Sequence, residues 1–116
     1  MYIHNVRGLS LDHVQIHNQL GPAIQVSDAC DVDVVNCSTS TVNDGSPFAL
    51  LQNVHGAFVD GCRIPEGAQT FLEVAGSGSK AIHLGPNNQV HQARLAATTG
   101  EALPDAAIQP KSILKE

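Results

Sequence analysis

The chain lacks most of the bulky aromatic side chains that fill the centre of an ordinary globular domain. Among its 116 residues there is no Trp, one Tyr and three Phe, although 42% of the residues are hydrophobic. A core of this composition consists of Val, Ile, Leu, Ala and Cys, which suits thin stacked layers better than one bulky centre. The length fits a single domain.

Positive charge and long apolar runs are also scarce. Six Lys and Arg are scattered through a chain whose net charge is −5. Because binding to a phosphate backbone needs a clustered basic surface, we expect no nucleic-acid partner. No apolar run approaches the roughly 18 residues of a membrane span, and no basic segment with an apolar stretch marks a signal peptide, so we expect no membrane partner and leave the location open.

The three cysteines do not follow a zinc-binding pattern, since no CxxC or Cys/His spacing is present. Cys37 and Cys62 occupy equivalent places in the repeat described below, where the first copy has Val14. We therefore expect both to be small buried side chains. A disulfide between them is the alternative, because stacked strands lie about 4.8 Å apart, within the range of bridged Cα atoms.

What the chain does have is a ten-residue phrase that occurs three times. The copies are residues 5–14, 28–37 and 53–62, and a weaker copy follows at residues 76–84. Asn5, Asp28 and Asn53 begin the three copies at spacings of 23 and 25 residues. Repeats with periods of about 20–50 residues indicate units that cannot bury their apolar face alone and must stack on one another.

Aligning the copies gives four columns of small apolar residues with polar residues between them. The columns are Val6/Ala29/Val54, Leu9/Val32/Ala57, Leu11/Val34/Val59 and Val14/Cys37/Cys62. Their period of two is typical of short half-buried strands, and a second short strand precedes each copy. Asn5, Asp28 and Asn53 fall at the bend between the two strands, since Asn and Asp tolerate left-handed backbone angles.

These patterns predict an all-β fold, a right-handed parallel β-helix (β-solenoid) of about four coils over residues 1–88. Residues 89–116 no longer follow the repeat and are predicted to be an irregular C-terminal segment that caps the stack or trails along it. A short helix near residues 90–97 is one conformation considered for this segment. The longer polar connections, around residues 17–22, 38–47 and 65–69, are predicted to be loops.

The phrases NVRGLSLDHVQI (residues 5–16) and NVHGAFVDGCRIPEGAQTFLEV (residues 53–74) resemble the right-handed parallel β-helix of the pectin-lyase-like superfamily. They look most like the C-terminal coils of bacterial glycoside hydrolase family 28 proteins, the polygalacturonase-like enzymes. The resemblance spans about residues 2–88 and rests on the repeat pattern. It implies full-length relatives, usually extracytoplasmic, that hydrolyse galacturonan-type polysaccharides by inversion with paired aspartates.

None of the signatures of that family is present in this chain. Asn-Thr-Asp, Asp-Asp and Gly-His-Gly do not occur, and Arg63-Ile64 is followed by Pro65 where the family has lysine. No catalytic residue can be carried over, and we expect no metal site and no cofactor. The resemblance therefore implies a C-terminal, non-catalytic part of a polygalacturonase-like protein acting on pectin-type polysaccharide, and leaves open whether this chain alone is an enzyme.

One acidic set of residues and two alternative functions remain. Asp12 and Asp60 share a column two coils apart, about 9.6 Å, with Asp31 and Asp33 on the coil between them. This arrangement suits an inverting pair or a calcium patch, but a solvated outer face is the interpretation we favour. The alternative functions are a polysaccharide-binding face with Phe58 as its only aromatic platform, and a homo-oligomer that assembles through the exposed N-terminal coil.

Overall fold

The protein is all-β in the computed structural model, which describes residues 1–17, 21–39, 46–64, 68–76, 78–88, 93–99 and 108–109. Every regular element within these ranges is a strand, and no helix in them could cross a membrane. The strands are β1 (Tyr2–Asp12), β2 (Gln15–Ile16), β3 (Ile24–Val35), β4 (Ser38–Thr39), β5 (Ala49–Asp60), β6 (Ala68–Ala75), β7 (Lys80–Leu84), β8 (Ala93–Thr99) and β9 (Ile108–Gln109).

All strand pairs are parallel. The main sheet runs β1-β3-β5-β6-β8, with β7 paired to both β5 and β9, and β2 and β4 form a separate pair. A bridge between Ser38 and Arg63 extends that second pair by one step. We call residues 1–17, 21–39 and 46–64 rungs 1 to 3, and residues 68–76 with 78–88 rung 4, because the strands of each rung pair with those of the one before it. The predicted all-β chain of parallel strands is confirmed.

Three of the four predicted apolar columns are confirmed residue by residue in the strand register. Val6 pairs with Ala29 and Ala29 with Val54, and the columns that begin at Leu9 and Leu11 continue in the same register. In rungs 2 and 3 all these residues are buried, whereas in rung 1 they are only half-buried. Full burial of a Val or Leu side chain contributes roughly 1.5–3 kcal/mol, so the inner rungs carry most of the stabilisation.

Left-handed residues form corners at the same place in successive rungs. Asn5, Asp28 and Asn53 have φ angles of 57°, 54° and 54°, which confirms the predicted bend. A second set of corners, not predicted from the sequence, consists of Gly8, Asp31, Gly56 and Ala81, and a third set of His13, Asn36 and Gly61. In rungs 1 to 3 the strand keeps its pairing register through the first two corners, because each corner falls at the equivalent position in these rungs.

Rung 4 has two extra residues at its first corner, and a side chain completes the hydrogen bonding there. The backbone N–H of Val54 donates to Ser79 Oγ at 3.1 Å, and that hydroxyl donates to the carbonyl of Ala75 at 2.8 Å. The corner residue Asn53 accepts a hydrogen bond from the N–H of Gly78 at 3.2 Å. The side chain of the corner residue Asn53 therefore joins rung 3 to the backbone of rung 4.

Strand stacking continues beyond residue 88, where the sequence repeat fades. Ala68 of β6 pairs with Ala93 of β8, and Ile82 of β7 pairs with Ile108 of β9. The helix considered near residues 90–97 is wrong for residues 93–97, which belong to a strand, and residues 90–92 lie outside the described residues. The domain boundary at residue 88 and the capping role of residues 89–116 stay predictions. Of the loops predicted around residues 17–22, 38–47 and 65–69, residues 38–39 and 68–69 belong instead to strands β4 and β6, and residues 18–20, 40–45 and 65–67 lie outside the described residues.

Candidate functional site

Asp12 and Asp60 lie in one column, as predicted, with Val35 between them. Each carboxylate, however, has its own local partner. Asp12 Oδ1 is 2.6 Å from Nδ1 of His13. Asp60 accepts hydrogen bonds from the backbone N–H of Asn87 at 2.9 Å and from its side-chain amide at 3.2 Å. Asp60 therefore fixes the turn at residues 85–88, which gives it a structural role.

Asp31 and Asp33 have a different setting from that pair. They line a shallow, open depression of about 430 Å³ that extends across rungs 2, 3 and 4. Its lining consists of Asp31, Val32, Asp33, Gly56, Ala57, Phe58, Ala81 and His83. We call this the Phe58 depression. In the part of the chain that the structure describes, no group of three or more His, Cys, Asp or Glu side chains is arranged to hold a metal ion.

The parallel register creates the Phe58 depression. Asp33, Phe58 and His83 are direct strand partners in successive rungs, about 4.8 Å apart, and all three are exposed. The neighbouring corner column supplies Asp31, Gly56 and Ala81, and the absent side chain of Gly56 and the small one of Ala81 leave space open. A Cβ atom at Gly56 would lie 3.4 Å from Asp31 Oδ1, so the Asp31 carboxylate lies against the glycine of rung 3.

The electrostatics of the depression are negative. Neither Asp31 nor Asp33 forms an ion pair with Lys or Arg among the described residues, where the ion pair found joins Asp12 and His13. Phe58 adds an aromatic side chain that is 41% exposed, and His83 adds an exposed imidazole. An aromatic face beside two carboxylates attracts cations and repels anions.

The prediction from the sequence grouped the residues of the Phe58 depression differently. It placed four aspartates in one acidic set and assigned Phe58 to a separate aromatic face, whereas Asp31 and Asp33 line the same depression as Phe58. His83 was missed, although it follows Phe58 by 25 residues, the spacing that relates Asp33 to Phe58. Tyr2 is a second exposed aromatic side chain, 59% exposed, and it stacks on His4 with ring centroids 5.3 Å apart.

The two buried cysteines do not provide a reactive nucleophile. Cys37 and Cys62 are fully buried free thiols, which confirms the expectation of small buried side chains, and the alternative disulfide is not formed. Each thiol donates to backbone carbonyls, and burial raises the pKa of Cys37 and raises that of Cys62 to about 12. Since the thiolate is the reactive form, both thiols are inert at neutral pH.

Comparisons of the chain with protein-family models, with curated proteins and with solved structures found no match. The resemblance to polygalacturonase-like proteins therefore rests on the repeat pattern of the chain itself.

Proposed function

We propose that this chain forms coils of a right-handed parallel β-helix and is the C-terminal, non-catalytic part of a polygalacturonase-like protein that acts on pectin-type polysaccharide. Its role there is to extend the stack of coils, while the catalytic aspartates lie on other coils. The recurring phrases, the parallel in-register rungs and the Asn and Asp corners support this proposal.

The observation that carries the proposal is the incomplete burial of rung 1. Val32 is 1% exposed and Val34 is fully buried, but their column partners Leu9 and Leu11 are only half-buried. In addition, β1 is paired along one edge, to β3. An unpaired strand edge above a half-covered apolar row favours one further coil on that side.

The local partners of the aspartates support a non-catalytic role. Inverting hydrolysis needs two carboxyl groups about 6.5–9.5 Å apart with a water between them, one acting as acid and one as base. Asp60 is engaged by Asn87, and Asp12 lies beside His13. We expect the isolated chain to leave polygalacturonate intact in a depolymerisation assay. Turnover that is lost in Asp12→Asn or Asp60→Asn would contradict the proposal.

The exposed edge of β1 can be tested by light scattering on the isolated chain. We expect association through this edge, because contact with a second copy would cover Leu9. Leu9→Lys places a charge on the inward column and should give monomers. Ser10→Lys is the matched control, because Ser10 is the next residue and is exposed, and it should associate as the native chain does. A native chain that stays monomeric at high concentration would count against a covering coil.

A self-assembling structural module is the second candidate, and the same edge favours it. Met1 and Tyr2 are 44% and 59% exposed at this end of the stack, which enlarges its uncovered apolar surface. The two candidates differ in the size of the assembly. Edge-to-edge contact of two copies closes at a dimer, whereas head-to-tail stacking continues to longer filaments. A mass that keeps rising with concentration would support the self-assembling module, and a mass that levels off at the dimer would support the first proposal.

A further inference from the structure

We propose that the Phe58 depression binds an amino sugar, with its ring against Phe58 and its ammonium group against Asp31 and Asp33. This inference goes beyond the proposed function, which assigns no ligand site to this chain. It depends on the chemistry that the register brings together from rungs 2, 3 and 4.

The shape of the depression suits a single six-membered ring. Phe58 presents an exposed aromatic side chain between Asp33 below and His83 above. Gly56 and Ala81 leave open space beside it. An open apolar face with a few polar groups at its margin leaves room for one ring to lie flat against it. The apolar face of a pyranose can therefore lie on Phe58 while its edge groups reach the polar side chains.

The charge of the depression selects the ligand. Carboxylates of Asp31 and Asp33 accept hydrogen bonds only, and an ammonium group donates three. Charge-assisted hydrogen bonds of this kind are about twice as strong as neutral ones. The exposed ring of Phe58 adds a cation–π attraction for the same ammonium group. The ammonium group of an amino sugar can therefore interact with both the carboxylates and the ring of Phe58.

The same charges exclude other saccharides. A uronic acid would place its carboxylate beside Asp31 and Asp33, where like charges repel. A neutral hexose keeps the stacking on Phe58 but loses the charge-assisted hydrogen bonds. The Phe58 depression is therefore not a subsite for pectin, even though the proposed function places the chain in a pectin-active protein.

Three pyranoses of similar size and different charge test the proposal, namely glucosamine, glucose and galacturonate. We would follow each titration of the native chain by the shifts of its amide signals in NMR. Glucosamine should bind about two- to fivefold more tightly than glucose, since an ion pair at an exposed carboxylate is weakened by solvent. Galacturonate should bind most weakly. Equal affinities for glucosamine and glucose, or no binding of glucosamine, would overturn the proposal.

Single-residue variants test which side chains bind the sugar. Asp33→Asn keeps the shape of the side chain and should remove most of the preference for glucosamine over glucose. Phe58→Ala should weaken both sugars. Asp28→Asn is the control, because Asp28 is an exposed aspartate at a corner that does not line the depression. A loss of preference in Asp28→Asn equal to that in Asp33→Asn would indicate a general effect of net charge and would refute the site. Urea unfolding of each variant verifies that the fold is retained.

Discussion

Cys62 and Asn88, 26 residues apart, are joined by a hydrogen bond of 3.0 Å from the backbone N–H of Cys62 to Oδ1 of Asn88. The amide group of the same asparagine donates to the carbonyls of Val59 at 2.9 Å and Gly85 at 3.2 Å. Rung 4 turns away from rung 3 at this point, after β7 ends at Leu84. The buried side chain of Asn88 therefore supplies the hydrogen bonds that the backbone of a neighbouring strand would otherwise supply.

Replacing Asn88 should destabilise the fold. In Asn88→Ala the buried N–H of Cys62 loses its acceptor, and an unsatisfied buried polar group costs about 1–3 kcal/mol. The midpoint of urea unfolding should fall accordingly. Asn87→Ala is the matched control, because Asn87 is exposed and bonds to Asp60 at the surface, so its effect should be clearly smaller. Equal losses in the two variants would contradict the role assigned to Asn88.

Gly76 is the corner residue of rung 4, where a side chain has no room. Its φ is 88°, and a Cβ atom there would lie 2.7 Å from Cγ of Asn53 and 3.0 Å from its backbone nitrogen. Gly76→Ala therefore adds a steric clash to the cost of about 1–2 kcal/mol for a left-handed residue with a side chain. Gly8→Ala has a similar φ of 79° with nothing within 4 Å of the added atom, so it should show the backbone cost alone. Comparing thermal unfolding of the two variants isolates the clash.

The register of rungs 1 to 3 was predictable because burial and period agree in these rungs. Each of the columns beginning at Val6, Leu9 and Leu11 alternates with polar residues, and shifting a strand by one residue would turn all of them to solvent. The bend at Asn53 was predictable because Asn is among the few residues that favour a left-handed conformation. Local chemistry and burial pointed to the same alignment.

The prediction failed where backbone pairing continues without a side-chain pattern. The corner at Asp31 is occupied by Gly, Asp, Gly and Ala in successive rungs, and although Gly and Asp tolerate a left-handed backbone, this position lay inside an alternating pattern that predicted a continuous strand. Residues 93–99 pair with β6 because a strand edge offers backbone partners to any sequence, and the weak apolar spacing there gave no signal of a strand. The Phe58 depression was missed for a related reason, since its residues come together only when the register is extended to rung 4.

Ala81 is a residue with a side chain in the left-handed region, with φ of 59°. Glycine adopts this conformation without the steric cost, so Ala81→Gly should leave the protein as stable or up to about 1 kcal/mol more stable. Ala57→Gly should instead lower the free energy of unfolding, because Ala57 is buried in a strand and has no positive φ. There, glycine removes packing and adds unfolded-state entropy, at a cost of about 0.5–1 kcal/mol or more. Chemical denaturation measures both, and a loss in Ala81→Gly would contradict the assigned strain.

Cys62 should make the protein less stable in alkaline solution. Burial raises the pKa of its thiol from the ordinary 9.0 to about 12 in the folded chain, and carbonyl hydrogen bonds only partly offset this. Between these values the unfolded chain releases a proton that the folded chain retains, so the unfolded state binds fewer protons. The contribution of the protonated Cys62 thiol to the free energy of unfolding is fully present below pH 9 and is lost as the pH rises towards 12. Over this range the free energy of unfolding falls by at most about 1.4 kcal/mol per pH unit from this thiol.

The difference between the native chain and Cys62→Ala tests this alkaline effect, because groups that ionise above pH 9 without interacting with Cys62 contribute equally to both proteins. The variant lacks the thiol and should be less stable at neutral pH, since removal of a buried side chain leaves a cavity. Its free energy of unfolding should nevertheless fall less steeply above pH 9, so the two stability curves converge as the pH rises. Parallel curves would mean that the Cys62 thiol reaches water in the folded state, which conflicts with its complete burial between rungs.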